Sequence, residues 1–187
     1  MGDRKAEILE QAQVLVQKAG YDCLRYQDIA DELGVTRINI HHHFPHKEDL
    51  GNALLERIVA DLRAGFDEIS REPGSSWEKL DRFFDWGRQT VEQGNRVCPI
   101  SAMQGDANVI PDGMQGRLRA AGEMELEFLG QLLEEGRERN EMAFSGEAAS
   151  QAEMVLSAYK GALMYARLHG PQIYAHTIEQ LKASLTP

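Results

Sequence analysis

Cysteine is scarce in this sequence. Cys23 and Cys98, alone among 187 residues, are too few for a disulfide framework, and both thiols are expected to be reduced. Long apolar runs are missing too. Nothing approaches the roughly 20 apolar residues that a membrane-spanning helix needs. The opening residues, Met-Gly-Asp-Arg-Lys-Ala-Glu, hold no apolar stretch of the signal-peptide kind. A cytoplasmic setting with no membrane partner is expected. Positive charge is in deficit: 20 Lys and Arg stand against 30 Asp and Glu, a net charge of −10. Taken alone, that balance argues against nucleic acid, because phosphate contacts supply most non-specific affinity. Sustained alternation with β-branched enrichment is absent as well, so no strand is expected. The apolar share of 42% and charged share of 27% still suit a packed core rather than wholesale disorder.

What is present is helical periodicity from end to end. A first helix runs from about Asp3, as N-cap, to Ala19, with an apolar stripe of Ile8, Ala12, Leu15, Val16 and Ala19 and a stop at Gly20. A short helix over about Gln27–Leu33 buries Ile29, Ala30 and Leu33, and Gly34 allows a tight turn. A third covers about Thr36–His43, capped by Thr36 and ended by Pro45. The fourth, from about Lys47 to Ser70, holds Leu50, Leu54, Ile58, Leu62, Phe66 and Ile69 on one stripe. After the loop at 72–76, Ser75 and Glu78 form a capping box for a fifth helix reaching about Gly94. Residues 95–112 are broken by Pro99, Gly105 and Pro111, with one short helix between the prolines. A seventh helix spans about Gly113–Asn140, an eighth about Gly146–His169, and a ninth follows Gly170-Pro171. The expected fold is all-α: three helices over residues 1–46, then about six over residues 47–187.

Two short helices joined by a glycine turn, behind a longer one, make a helix-turn-helix. The second helix of such a unit enters the DNA major groove. Charge supports this locally. Residues 36–47 carry two cations, four histidines and no acid, an island on an acidic chain. Arg37 can bond guanine bidentately, Asn39 can pair with adenine, and Ile38 can touch a thymine methyl. Thr36 can cap the helix and turn its hydroxyl to a phosphate, and Lys47 supplies a mobile point charge. A metal site at His41–His46 is one competing reading. Successive helical residues point about 100° apart, so His41, His42 and His43 do not converge, and Pro45 breaks the helix between His42 and His46. No His-Glu-x-x-His spacing and no nucleophile beside a base marks an enzyme, and no cofactor is expected. The other competing reading is a helical ligand-binding or interaction protein, which the acidic total favours.

The run Gly20-Tyr21-x4-Tyr26-Gln-Asp28-Ile29-Ala30-x2-Leu33-Gly34-Val35-Thr36-x3-Ile40-His41-x-His43-Phe44-x2-Lys47-Glu48-x-Leu50 closely resembles the DNA-binding segment of the tetracycline-repressor-like (TetR) family of transcriptional regulators. The resemblance implies three N-terminal helices followed by a larger helical domain. It also implies that Lys47 and the residues from His41 to His43 hold phosphates. Arg37, Ile38 and Asn39 would read bases, sometimes with His41 and His42, and Gln27 would add a contact. Two departures stand out: His41 where the family usually has tyrosine, and Arg25 where a small capping hydroxyl is common. The resemblance further implies a repressor released from a palindromic operator by a small molecule of unknown identity. Helices four to seven would enclose that effector and helices eight and nine would make a homodimer. Phe66, Phe83, Phe84, Trp86, Met103, Met114, Met124, Phe128 and Tyr159 are candidate linings, although Met and aromatic residues at helical spacing also suit plain core. On helix eight, apolar or small residues at 152, 155, 156, 159, 162, 163 and 166 are wide enough for a core and a partner, and Ala158, Gly161 and Ala162 would allow close approach. Cys98 is expected to be buried and inert, since only Arg96 is a nearby cation. Cys23 is expected in the small N-terminal core or at its edge.

Overall fold

The structure is a computed structural model that describes residues 2–94 and 96–186. Among these residues it holds helices and no strand. In chain order they are α1 (Gly2–Ala19), α2 (Tyr26–Leu33), α3 (Arg37–His43), α4 (Lys47–Arg71), α5 (Ser76–Glu92), α6 (Pro99–Gly105), α7 (Asp112–Glu138), α8 (Ala148–His169) and α9 (Gln172–Ser184). The expected all-α pattern is therefore observed, with boundaries close to those read from periodicity and caps. The capping box is formed: Ser75 Oγ accepts from Glu78 N, and the Glu78 carboxylate accepts from Ser75 N at 2.7 Å. That bond holds the exposed Glu78 carboxyl below the ordinary carboxylate value. The expected cap at Asp3 concerns a side chain outside the described residues. No helix among the described residues is long and apolar enough to cross a membrane.

The chain divides into two compact units. The first comprises residues up to Asp61 together with Pro99–Ala121. The helix-turn-helix region thus shares its unit with the start of α4, with α6 and with the start of α7. Ile8, Ala12 and Val16 of α1, Ile29 and Ala30 of α2, Ile40 of α3 and Leu50, Leu54 and Leu55 of α4 are fully buried. Ile100 and Met103 of α6 and Met114 of α7 join them. Close approach is enforced at Gly51, where a Cβ would fall 2.8 Å from the Tyr21 ring and against the Met114 side chain. Cys23 is a correction. It is exposed, because it occupies the turn between α1 and α2, where Leu24 takes the buried position instead.

The second unit comprises Leu62–Cys98 together with the chain from Gly122 onward. Here α8 packs on α9 and α5. The seven α8 positions named above, 152, 155, 156, 159, 162, 163 and 166, are all buried in this unit's own core. They cannot also face a partner, which corrects the expectation that one stripe serves both. Glu125 of α7 is 2% exposed and is paired with Lys160 of α8. Burial pushes the Glu125 carboxyl up, and Lys160 pulls it back. Raised this way, the carboxyl opposes folding once pH passes its folded value, and the ammonium offsets that cost. Cys98 is half-buried against this core, and its electrostatic neighbour is Tyr159.

Candidate nucleic-acid interface

The turn between α2 and α3 follows from three residues. Gly34 adopts φ 63°, ψ 35°, a left-handed conformation in which its lack of a Cβ avoids strain. Val35 N then donates back to Ala30 O at 2.9 Å, closing the end of α2. Thr36 restarts the chain as a helix: its hydroxyl oxygen accepts from Asn39 N at 3.3 Å. With that oxygen engaged as acceptor, the Thr36 O–H remains able to donate outward. Arg25, at the start of α2, makes no side-chain cap, as its sequence departure implied. At the far end, Phe44 N donates to Ile40 O at 2.9 Å before Pro45 stops the helix.

These ends leave α3 with one buried and one open face. Ile40 is fully buried and Phe44 is 2% exposed. On the open face Ile38 is 79% exposed, an unusual position for a large aliphatic side chain. Arg37, His41 and His42 are exposed beside it, and Arg37 makes no ion pair among the described residues. Asn39 is half-buried, and its side-chain oxygen has no hydrogen-bond partner. His43 is half-buried with its ring against His42, centroids 5.8 Å apart. Gln27 donates to Asp31 at 2.6 Å on the exposed side of α2.

Lys47 does not simply extend into solvent. Its Nζ donates to Asp22 O at 2.8 Å and lies 4.7 Å from the centroid of the Tyr21 ring. An ammonium has three donors, so two remain for a phosphate. Two tyrosines that the helix-turn-helix reading gave no role hold this region together. Tyr21 donates through its hydroxyl to Lys47 O at 3.1 Å, and Tyr26 donates to Phe44 O at 2.8 Å. Burial, chiefly, pushes each phenol up to about 12, aided by Glu48 at Tyr21 and by Asp49 at Tyr26. Both bonds join residues far apart in sequence, so no local pattern announced them. His41, His42 and His46 are exposed and His43 is half-buried, and among the described residues no three His, Cys, Asp or Glu side chains are placed to hold a metal ion.

Seven of the candidate effector linings do come together. Phe66, Phe83, Phe84, Trp86, Met124, Phe128 and Tyr159 belong to one cluster in the second unit. Phe66 stacks on Phe128 at 4.2 Å and 8°, and Phe83 meets Tyr159 at 4.8 Å. Met103 and Met114 belong instead to the first unit, where α6 packs on α1. An open groove of about 870 Å³ lies between α5 and α9, with Phe84, Val91, Tyr174 and Ile178 in its lining. On α8 the apolar surface left free is a separate stripe: Met154, Met164, Tyr165 and Leu168 are 48%, 44%, 62% and 90% exposed. Gly161 lies on that stripe, and a Cβ there would meet nothing within 4 Å.

Residues 8–54 match the family model described as bacterial regulatory proteins, tetR family. The chain is similar to the HTH-type transcriptional repressor NemR of Escherichia coli K12, 23% identical over 174 residues, covering 89% of this chain and 85% of that repressor. Among solved structures it resembles a TetR-family transcriptional regulator from Agrobacterium tumefaciens, with a TM-score of 0.93 at 24% identity, covering 100% of this chain and 99% of the other. It also resembles a TetR transcriptional regulator from Legionella pneumophila, with a TM-score of 0.89 at 28% identity and the same coverage.

The two raised phenols carry a pH dependence. Their folded values lie above the ordinary 10. The stability they contribute is therefore complete below about pH 10 and lost as pH climbs through about 12. In a difference titration of tyrosinate absorbance, wild type minus Tyr26→Phe, the missing phenol should titrate near 12 together with loss of helix signal. A Tyr26 phenol ionising near 10 with the helices intact would contradict the buried bond to Phe44.

Proposed function

We propose that this chain is a member of the TetR family of bacterial regulatory proteins, whose model matches residues 8–54, and a ligand-responsive DNA-binding regulator acting in the cytoplasm. In this reading it is a repressor that leaves a palindromic operator when a small molecule binds, and not an enzyme. The observation that carries the proposal is the open face of α3. Arg37, Ile38 and Asn39 stand at the front of a helix whose opposite side is locked by Ile40. In this reading Arg37 pairs with guanine and Ile38 touches a thymine methyl, while Asn39 pairs with adenine once its side chain turns to bring its buried oxygen outward. Thr36, Gln27, His41, His42, His43 and Lys47 hold phosphates on either side of that reading edge. A neutral imidazole donates one hydrogen bond there, and a phosphate favours its charged form.

A short recognition helix gains specificity by acting twice. Dimers of this type place their helices about 34–36 Å apart, one turn of duplex. The free stripe Met154–Gly161–Tyr165–Leu168 on α8 supports a homodimer through α8 and α9, because exposed apolar surface of this extent on one helix favours burial against a second copy. Residues 1–46, with Lys47 at the start of α4, then supply the DNA contacts, and the rest of residues 47–187 supplies the partner and effector contacts. The effector enters beside the aromatic cluster that includes Phe66. Phe66 and Lys47 belong to one uninterrupted helix, α4, so a ligand that favours one position of that helix shifts the population of DNA-competent dimers.

The reading is tested on a fluorescent duplex enriched from a random-sequence pool by the wild-type protein. Arg37→Ala should weaken binding to that duplex by about 1–3 kcal/mol and relax selectivity at one base position, while Lys47→Ala weakens all duplexes alike and lowers the salt slope by about 1. Arg37→Ala binding as tightly as wild type would remove the groove assignment. For the dimer, Leu168→Asp should give a folded monomer in analytical ultracentrifugation, and an undiminished dimer would remove the α8 assignment.

A further inference from the structure

Tyr26 has no role in the contacts assigned so far, yet it grips α3 in two ways. It is the first residue of α2 and is 8% exposed. Its hydroxyl donates to the carbonyl of Phe44, 18 residues away, in a buried bond of 2.8 Å. Its ring meets the imidazole of His41 edge-on, with centroids 4.6 Å apart and planes at 61°. His41 itself is exposed, so one side of the imidazole is held and the other is open.

We infer that Tyr26 is a positioning residue for DNA binding: it fixes the C-terminal end of α3 and aims the His41 imidazole at the phosphate backbone. The inference rests on the reading of α3 as the recognition helix. A seven-residue helix has little stability of its own, so its direction is set by whatever holds it. The Thr36 cap is local and orders only the first turn. Ile40 anchors the middle and the Phe44 side chain just past the helix is buried too, but apolar contacts are non-directional and leave the backbone direction there unset. The Tyr26–Phe44 bond supplies the second fixed point, at one of the last carbonyls that have no partner within the helix. Two points fix an axis, and base edges are read only where the axis is right.

The ring contact does a different job. An exposed imidazole samples several rotamers, and ordering one on binding costs affinity. Edge-to-face packing against a phenol that is itself buried and bonded restrains that motion before DNA arrives. The sequence departure makes sense in these terms. Where the resembled family usually carries tyrosine, this chain has the shorter His41, and the phenol stands across from it on α2.

A double-mutant cycle on the full-length protein decides the matter, with the enriched duplex and a scrambled duplex as probes. His41→Ala should weaken binding to the enriched duplex about five- to tenfold in the wild-type background. In the Tyr26→Leu background the same change should cost less than twofold, since the imidazole is no longer aimed. Tyr26→Phe keeps the ring and removes only the Phe44 bond. It should lower the ratio of enriched to scrambled affinity at least threefold while the protein remains helical at assay temperature. Equal His41→Ala factors in both backgrounds would show that Tyr26 does nothing for His41. Should Tyr26→Leu not fold, Tyr26→Phe decides alone, and an unchanged affinity ratio overturns the inference. If DNA binds and depends on Arg37 but these couplings are absent, the positioning role fails and the regulator reading stands. If no duplex is enriched at all, both fail together.

Discussion

Burial of Ile40 and Phe44 is the contact on which the rest of the N-terminal unit depends. α3 is a short helix, and only side chains driven out of water on one side can hold its other side in place. Each residue around that contact has a traceable task. Gly34 reverses the chain, Thr36 restarts it, Pro45 ends it, and Ala30 is small enough for two helices to cross. Tyr26 then ties the exit of α3 to the start of α2, and Tyr21 ties the entry of α4 to the turn after α1, through two carbonyls. The outcome is an open face on which Arg37 and Ile38 are exposed, with Asn39 half-buried beside them.

Charge acts at a second level. The chain is strongly acidic, yet residues 36–47 carry no acid at all. An acidic body repels the duplex everywhere except at this island, which limits indiscriminate attachment and leaves local contacts to decide where the protein sits.

The helices were legible in the sequence because their signals are local. Apolar spacing, Ser75 with Glu78, Gly34, Thr36 and the prolines each act within a few residues of where they stand. The bounds of α3 were legible for the same reason. What periodicity cannot supply is the identity of the neighbour that covers an apolar face. The α8 positions from 152 to 166 read as a seam for two partners, and the structure spends all seven on its own core, leaving Met154, Met164, Tyr165 and Leu168 outside. Met103 looked like a companion of Phe66 and Phe128, but α6 packs on α1 in the other unit. Cys23 looked like core, and the turn geometry turns it outward. Tyr26 and Phe44 both lie in the quoted run, but the bond between them spans 18 residues and has no local spacing that signals it. Each of these depends on tertiary pairing, which a single sequence states only indirectly.

In the proposed reading α3 enters the major groove, presented twice by a symmetric pair of chains. Hydroxyl-radical footprinting on a duplex selected by the intact protein tests it most directly. Two protected patches on one face of the duplex, with centres one helical turn or a whole multiple of turns apart, are the predicted result. A single protected patch, or two patches on opposite faces of the duplex, would contradict it.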